Sequence, residues 1–300
     1  TQIISLSKKN LFPFIIITLG ILLPFIFSLN QFNFIFISLM EKGIGRSLRD
    51  YVKWSRIIKN VLHIPMLFFI FAFFVNYVNI GKTIFSDFKS TLKELFSTLK
   101  NKKNILILII TFLFLFFAYF NIVNSNFYYQ DDLFRNYSGD RGWISFGRFI
   151  SEFLSPFIHT TINLTDIAPL TQIISLLLMS LTLYILVYSI SNKNISSAGI
   201  ILFSFIFISP FYVQCFCYRF DNPYMTLAVL FSVLPFLFKD NTKTFVFSSI
   251  LFLILTCMSY QSATSIYIMI VIFISLNKFL TNENKKDVFK FILISIISFI

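Results

Sequence analysis

Apolar residues fill the chain in runs of membrane-crossing length, separated by short polar stretches. A helix crossing a bilayer needs roughly 20 apolar residues, fewer where flanking side chains snorkel. Runs at about 11–29, 61–80, 105–123, 169–190, 198–213, 223–238, 245–259, 264–280 and from 288 onward meet or approach that length. The shorter ones predict helices whose ends carry polar residues. Two segments show a different period. In 81–104, Ile84, Phe88, Leu92, Leu95 and Leu99 recur at helical spacing among lysines, which predicts a helix lying on the inner leaflet. In 143–157, Trp143, Phe146, Ile150, Phe153 and Phe157 predict a second surface helix on the outer leaflet. There Arg148 and Glu152 form an i,i+4 pair on its polar side.

Composition fixes the class. With 57% hydrophobic residues and 43 Phe among 300, the chain carries more apolar surface than a soluble domain of this size can bury. The fold predicted is an all-α polytopic membrane bundle. A net charge of +12 would suit nucleic acid, but the cations alternate with the apolar runs. That is the pattern of loops held on the positive side of a bilayer, so lipid and not nucleic acid is the expected partner. Lys82, Lys89, Lys93, Lys100, Lys102 and Lys103 place 81–104 in the cytoplasm. Later inner loops carry Lys193, then Lys239 and Lys243, then Lys278, Lys285 and Lys286, whereas the intervening outer segments carry no Lys.

Segment 41–60 is also basic, so both ends of run 61–80 read as cytoplasmic, and that run is re-entrant or the early topology is unusual. The chain therefore divides into a membrane region 1–104 of unassigned role and a second domain 105–300. It opens at Thr1 and closes at Ile300 inside an apolar run, which predicts a piece of a longer protein. No cleavable leader is visible, and the first run reads as a retained span. The hexapeptide Thr-Gln-Ile-Ile-Ser-Leu at 1–6 and 171–176 has no repeating context and reads as chance. Cys215, Cys217, Cys257 and two His show no metal-site spacing. The Phe, Ile, Asn and Lys bias suits an AT-rich bacterial genome.

Charged residues on the outer side are few and gathered: Asp131, Asp132, Arg135, Asp140, Arg141, Arg148, Glu152, Asp166, Arg219 and Asp221, with Tyr260 and Gln261 at a later outer turn. Taken singly, each has an ordinary explanation as a loop charge, a local ion pair or an interfacial aromatic. Their arrival at one membrane face from separate loops is what makes them a candidate site.

The stretch Asp131-Asp132-Leu-Phe-Arg135-Asn-Tyr-Ser-Gly139, followed by Gly142-Trp143, Gly147-Arg148 and Asp166-Ile-Ala-Pro169-Leu-Thr-Gln172, resembles the serotype-converting O-antigen glucosyltransferases of the Gtr type-II kind. Tyr218-Arg219-Phe220-Asp221 and Tyr260-Gln261 continue the resemblance in the same order, over about residues 105–280. It implies a GT-C-like helical bundle in the bacterial inner membrane, with its active site facing the periplasm. It also implies transfer of a hexose, glucose above all, from a polyprenyl-phosphate carrier to a surface polysaccharide, by an inverting displacement.

The residues suit that chemistry. A carboxylate at the membrane surface can take the acceptor's proton, and an Arg fork can hold the departing phosphate. Asp131 and Asp132 are the catalytic candidates. Neighbours in a chain point apart, so one is expected to be the base and the other to orient the acceptor, hold an Arg or bind a divalent cation. Arg135, Arg148, Asp166, Arg219, Asp221, Tyr260 and Gln261 are the candidates for binding substrate or lipid phosphate. No cofactor is established by the sequence. The rivals are a transferase of a different sugar and acceptor, and a flippase for a lipid-linked sugar. Spans nearly free of charge argue against the latter.

Overall fold

A computed structural model describes residues 80–191, 193–281 and 284–299, and those from Ile84 onward belong to one compact unit. The expectations for runs 11–29 and 61–80 and for segment 41–60 lie outside the described residues. Every regular element among the described residues is helical. The order is α1 (Ile80–Leu99), α2 (Lys102–Asn124), α3 (Asp132–Ser138), α4 (Phe149–His159), α5 (Leu170–Ile190), α6 (Ser197–Ile208), α7 (Pro210–Cys217), α8 (Asn222–Val233), α9 (Thr242–Ser259), α10 (Thr264–Leu280) and α11 (Lys285–Phe299). Short 3-10 turns occupy Trp143–Phe146, Leu234–Phe238 and Gln261–Ala263.

Among the described residues, four helices are long and apolar enough to cross a membrane: Lys102–Asn124, Leu170–Ile190, Thr242–Ser259 and Gln261–Leu280. The protein is an all-α polytopic membrane protein. Asn101 and Asn241 start two of the spans by accepting the backbone N–H of Lys103 and Lys243, each at 3.1 Å. Helix α5 is the centre of the bundle: two-thirds of it is buried, against 22% of α2. It packs on α8, α2 and α6, while α9 packs on α8 and α11. Only Thr111, Leu115 and Tyr119 of α2 are buried, a seam at i, i+4 and i+8, and Ile109 and Phe117 stand exposed. An apolar outer surface of this kind matches hydrocarbon, not water.

Several buried serine and threonine hydroxyls are satisfied within the bundle. Ser175, Ser180, Thr226 and Ser259 bond the carbonyl four residues back. Ser175 also reaches Asn222 at 2.7 Å, tying α5 to α8, and Tyr212 meets Thr226 at 2.7 Å. Such cross-helix bonds help fix pairing where lipid supplies no hydrophobic drive.

Three expectations from the apolar pattern are corrected. Run 198–213 is not one straight helix but α6 and α7, bent by 64° at Ser209–Pro210. Ser209 caps the second helix through Tyr212 N–H, and Pro210 sits in its first turn, where a missing N–H costs nothing. Run 223–238 is helical only to Val233 and tightens to a 3-10 turn at Leu234–Phe238, with Pro235 at its start. The surface helix at 143–157 breaks at Gly147, which has φ +73°, so a 3-10 turn and the separate α4 replace it. Trp143, placed on that helix's lipid face, is instead wholly buried.

Candidate active site

The end of α2, helices α3 and α4, the start of α5, the α7–α8 joint and the α9–α10 turn meet at one end of the bundle. Gly139 closes α3 with φ +65° and accepts Leu164 N–H at 3.0 Å. A Cβ there would lie 3.1 Å from that of Asn163. The loop between α2 and α5 is thereby folded back on itself and presents its charges toward the α7–α8 joint.

Two charged clusters result. In the first, Asp221 is the hub. Its carboxylate lies 3.3 Å from Arg135 Nε and 3.6 Å from Arg148 Nη1, and it accepts the indole N–H of Trp143. Arg135 also stacks over Trp143 at 4.6 Å and donates to the Arg141 carbonyl. Arg148 lies over Tyr260 at 5.0 Å, and its Nε is buried without a hydrogen-bond partner. Gln261 donates to the Phe146 carbonyl at 2.7 Å and pins the turn that carries Arg148.

The second cluster is built on Arg219, whose Nε is likewise buried without a hydrogen-bond partner. Arg219 pairs with Asp166 at 3.1 Å, bonds Asn126 at 2.9 Å and covers Tyr128 at 4.8 Å. Tyr128 donates to the same Asp166 carboxylate at 2.8 Å.

Asp131 and Asp132 point apart. Asp132 is completely buried and accepts backbone N–H groups of Arg219 (2.8 Å), Tyr129 (3.2 Å) and Phe220 (3.4 Å). Asp131 precedes α3, makes no capping bond through its side chain and is exposed. Only Asp131 faces the large cavity at this end, about 850 Å³ in volume. Arg135, Arg148, Asp221 and Tyr260 line it as well, whereas Asp132, Asp166, Arg219 and Gln261 do not. Below this polar mouth the wall becomes apolar, with Ile206, Phe211, Val229, Ile266 and Met269 contributed by α6, α7, α8 and α10. Phe211 and Met269 are also exposed on the outside of the bundle.

The expected Arg148–Glu152 pair does not form. Glu152 pairs with Arg141 at 3.1 Å, and Arg148 turns to Asp221. Placing Arg148 before the first residue of α4 removes the i,i+4 geometry that a continuous helix would give. Sequence reasoning also missed Trp143 as a partner of Asp221 and the role of Asn126. The one available signal was Trp143 itself, one of only two Trp in the chain, standing between two glycines and their arginines. Among the described residues no three His, Cys, Asp or Glu side chains converge as metal ligands.

Burial pushes the Asp132 carboxyl up to about 6, against the opposing pull of its three backbone donors. An acid raised in the folded state binds its proton more tightly there than when unfolded. Its contribution to stability is therefore present at low pH and is lost as pH rises from the ordinary carboxylate range through about 6. Asp132→Asn should flatten that loss. Thermal unfolding in detergent at pH 4 to 7 should show a difference between variant and parent that changes by about 2–3 kcal/mol across the window. Parallel pH profiles would show that Asp132 does not titrate in this range.

Among known proteins, the family described as Glucosyl transferase GtrII matches residues 120–300. A relative from Salmonella phage P22, described as an uncharacterized 55.3 kDa protein in the gtrB 5′ region, is 25% identical over 150 residues. That alignment covers 49% of this chain and 30% of the phage protein. No solved structure matches. The family match takes in more than half of the chain, including every charged residue of both clusters, and the protein belongs to the Glucosyl transferase GtrII family.

Proposed function

We propose that the protein is a membrane glucosyltransferase that takes glucose from a polyprenyl-phosphate carrier and adds it to O-antigen or a similar surface polysaccharide. We place the reaction on the periplasmic side of a bacterial inner membrane. The observation that carries this reading is the cavity, which joins a polar mouth to an apolar wall. Two guanidiniums share the Asp221 carboxylate at the mouth, where a phosphate could engage them, and the other carboxylate there, Asp131, is in neither ion pair. Its volume falls in the range of small-ligand sites. The apolar wall runs toward Phe211 and Met269 on the lipid-facing side, as a prenyl chain held in the bilayer requires.

In this reading the acceptor hydroxyl attacks the anomeric carbon of glucose, and the bond from that carbon to the phosphate oxygen breaks. The phosphate keeps the electron pair and is neutralised by Arg135 and Arg148, whose forks match phosphate oxygens. Asp131 takes the hydroxyl proton. A retaining route would need a second carboxylate as nucleophile. The other one lining the cavity, Asp221, is already held by two arginines and an indole, which favours a single inverting displacement. A divalent cation fits poorly beside two guanidiniums and one uncommitted carboxylate.

The broken helix pair α6–α7 is a feature that transporters use, but its break at Ser209–Pro210 carries no ionisable side chain. One experiment separates the readings. The complete protein is placed in sealed, right-side-out vesicles with polyprenyl-phosphate glucose and an impermeant polysaccharide acceptor outside. We expect glucose to appear on the acceptor, with none transferred from nucleotide-sugar. Movement of the glycolipid between leaflets without transfer would overturn the assignment in favour of a flippase.

A further inference from the structure

Helix α1 lies at the end of the bundle remote from the candidate site, where α5 ends and α9 begins. Asp87 accepts from Asn241 and from Thr244 at 2.9 Å, Glu94 pairs with Lys193 at 2.7 Å, and Phe88 stacks on Phe238 at 4.1 Å. Ile84 and Leu95 are buried on the same side.

Wound at about 100° per residue, the remaining surface of α1 divides into strips. Phe85, Leu92 and Phe96 fall in one strip about 40° wide, and all three are exposed, Phe85 by 71% and Phe96 by 59%. Lys89, Lys93 and Lys100 fill the adjoining strip and are exposed too. Lys100 keeps the helical phase, since its N–H bonds the Phe96 carbonyl at 3.2 Å. Beyond them come Ser86, Ser90 and Ser97. The two acidic residues of α1, Asp87 and Glu94, are engaged by the bundle, so the outward charge of the lysine strip is uniformly positive.

We propose that this surface binds anionic phospholipid headgroups in the leaflet opposite the candidate active site. The Phe85–Leu92–Phe96 strip dips into the acyl boundary, the lysines sit at phosphate level, and the serines face water. An apolar strip bordered on one flank by lysines and beyond them by small hydroxyls follows the polarity gradient of an anionic leaflet. A protein partner would have to present acidic residues in the same narrow row.

The test uses the full chain in phosphatidylcholine bilayers containing spin-labelled phosphatidylglycerol or spin-labelled phosphatidylcholine. The parent should hold the anionic probe preferentially, and the Lys89→Gln/Lys93→Gln/Lys100→Gln variant should lose at least about threefold of that preference. The control Lys285→Gln/Lys286→Gln/Lys290→Gln removes equal charge from α11 and should lose much less. An unchanged preference in the first variant, or an equal loss in both, would overturn the proposal. A photo-crosslinking residue in place of Phe96 should label lipid, and labelling of residues 1–79 instead would assign the strip to the N-terminal region.

Discussion

Asp131→Asn should slow glucosyl transfer by about 10²–10⁴-fold, the usual worth of a general base, with little change in stability. The argument is positional. Asp131 is the carboxylate that faces the cavity without being consumed by a buried ion pair, and Asn keeps its size while removing its basicity. Asp132→Asn provides the contrast. Its carboxylate is sealed against three backbone N–H groups, so its loss should loosen the joint between α3 and the Arg219–Phe220 turn and cost stability first. Single-turnover transfer from purified polyprenyl-phosphate glucose, alongside unfolding of each variant, reads both effects. Near-normal turnover in Asp131→Asn would place the base elsewhere. A folded Asp132→Asn that is the slower of the two would reverse the assignment.

Asp221→Ala should destabilise the candidate-site end of the bundle by about 3–5 kcal/mol, the scale for removing one partner from a buried charge network. Arg135 would be left buried beside Trp143 without its counter-charge, and the indole N–H would lose its acceptor. Asp221→Asn should fall between, because an amide oxygen can still accept from the indole but cannot balance two cations. Detergent-solubilised variants compared by equilibrium unfolding would measure the series. A loss under about 1 kcal/mol for the alanine variant would mean that Asp221 is not the hub its geometry describes.

The spans α2, α5, α9 and α10 were legible because each is apolar over its whole length, a pattern that few other structures can accommodate. The bend at Ser209–Pro210 was not, since hydropathy is nearly unchanged across it and only the cap-and-proline order marks a new helix start. Gly147 hid the end of the predicted surface helix for a related reason: one residue with φ > 0 rotates every later side chain out of the expected phase. At the site, the gathering of charges at one end could be read from loop composition. Their partnering could not. Arg148 was closer in sequence to Glu152 than to Asp221, yet the chain reversal at Gly139 and the α7–α8 joint decided which carboxylate it met. The choice between Asp131 and Asp132 likewise depended on which one the Arg219 backbone would claim.

Helix α2 is fully buried at only three residues and leaves apolar side chains such as Ile109 and Phe117 exposed, a surface suited to lipid. A bilayer barely distinguishes Leu from Ile, Phe or Val, so substitutions among these on the outward faces carry almost no energetic penalty. Over long divergence those faces should drift freely while Thr111, Leu115 and Tyr119 hold still. Related chains would then keep recognisable loops on helices that share little more than their greasiness. Ancestry in such a protein is recorded mainly where the chain leaves the membrane.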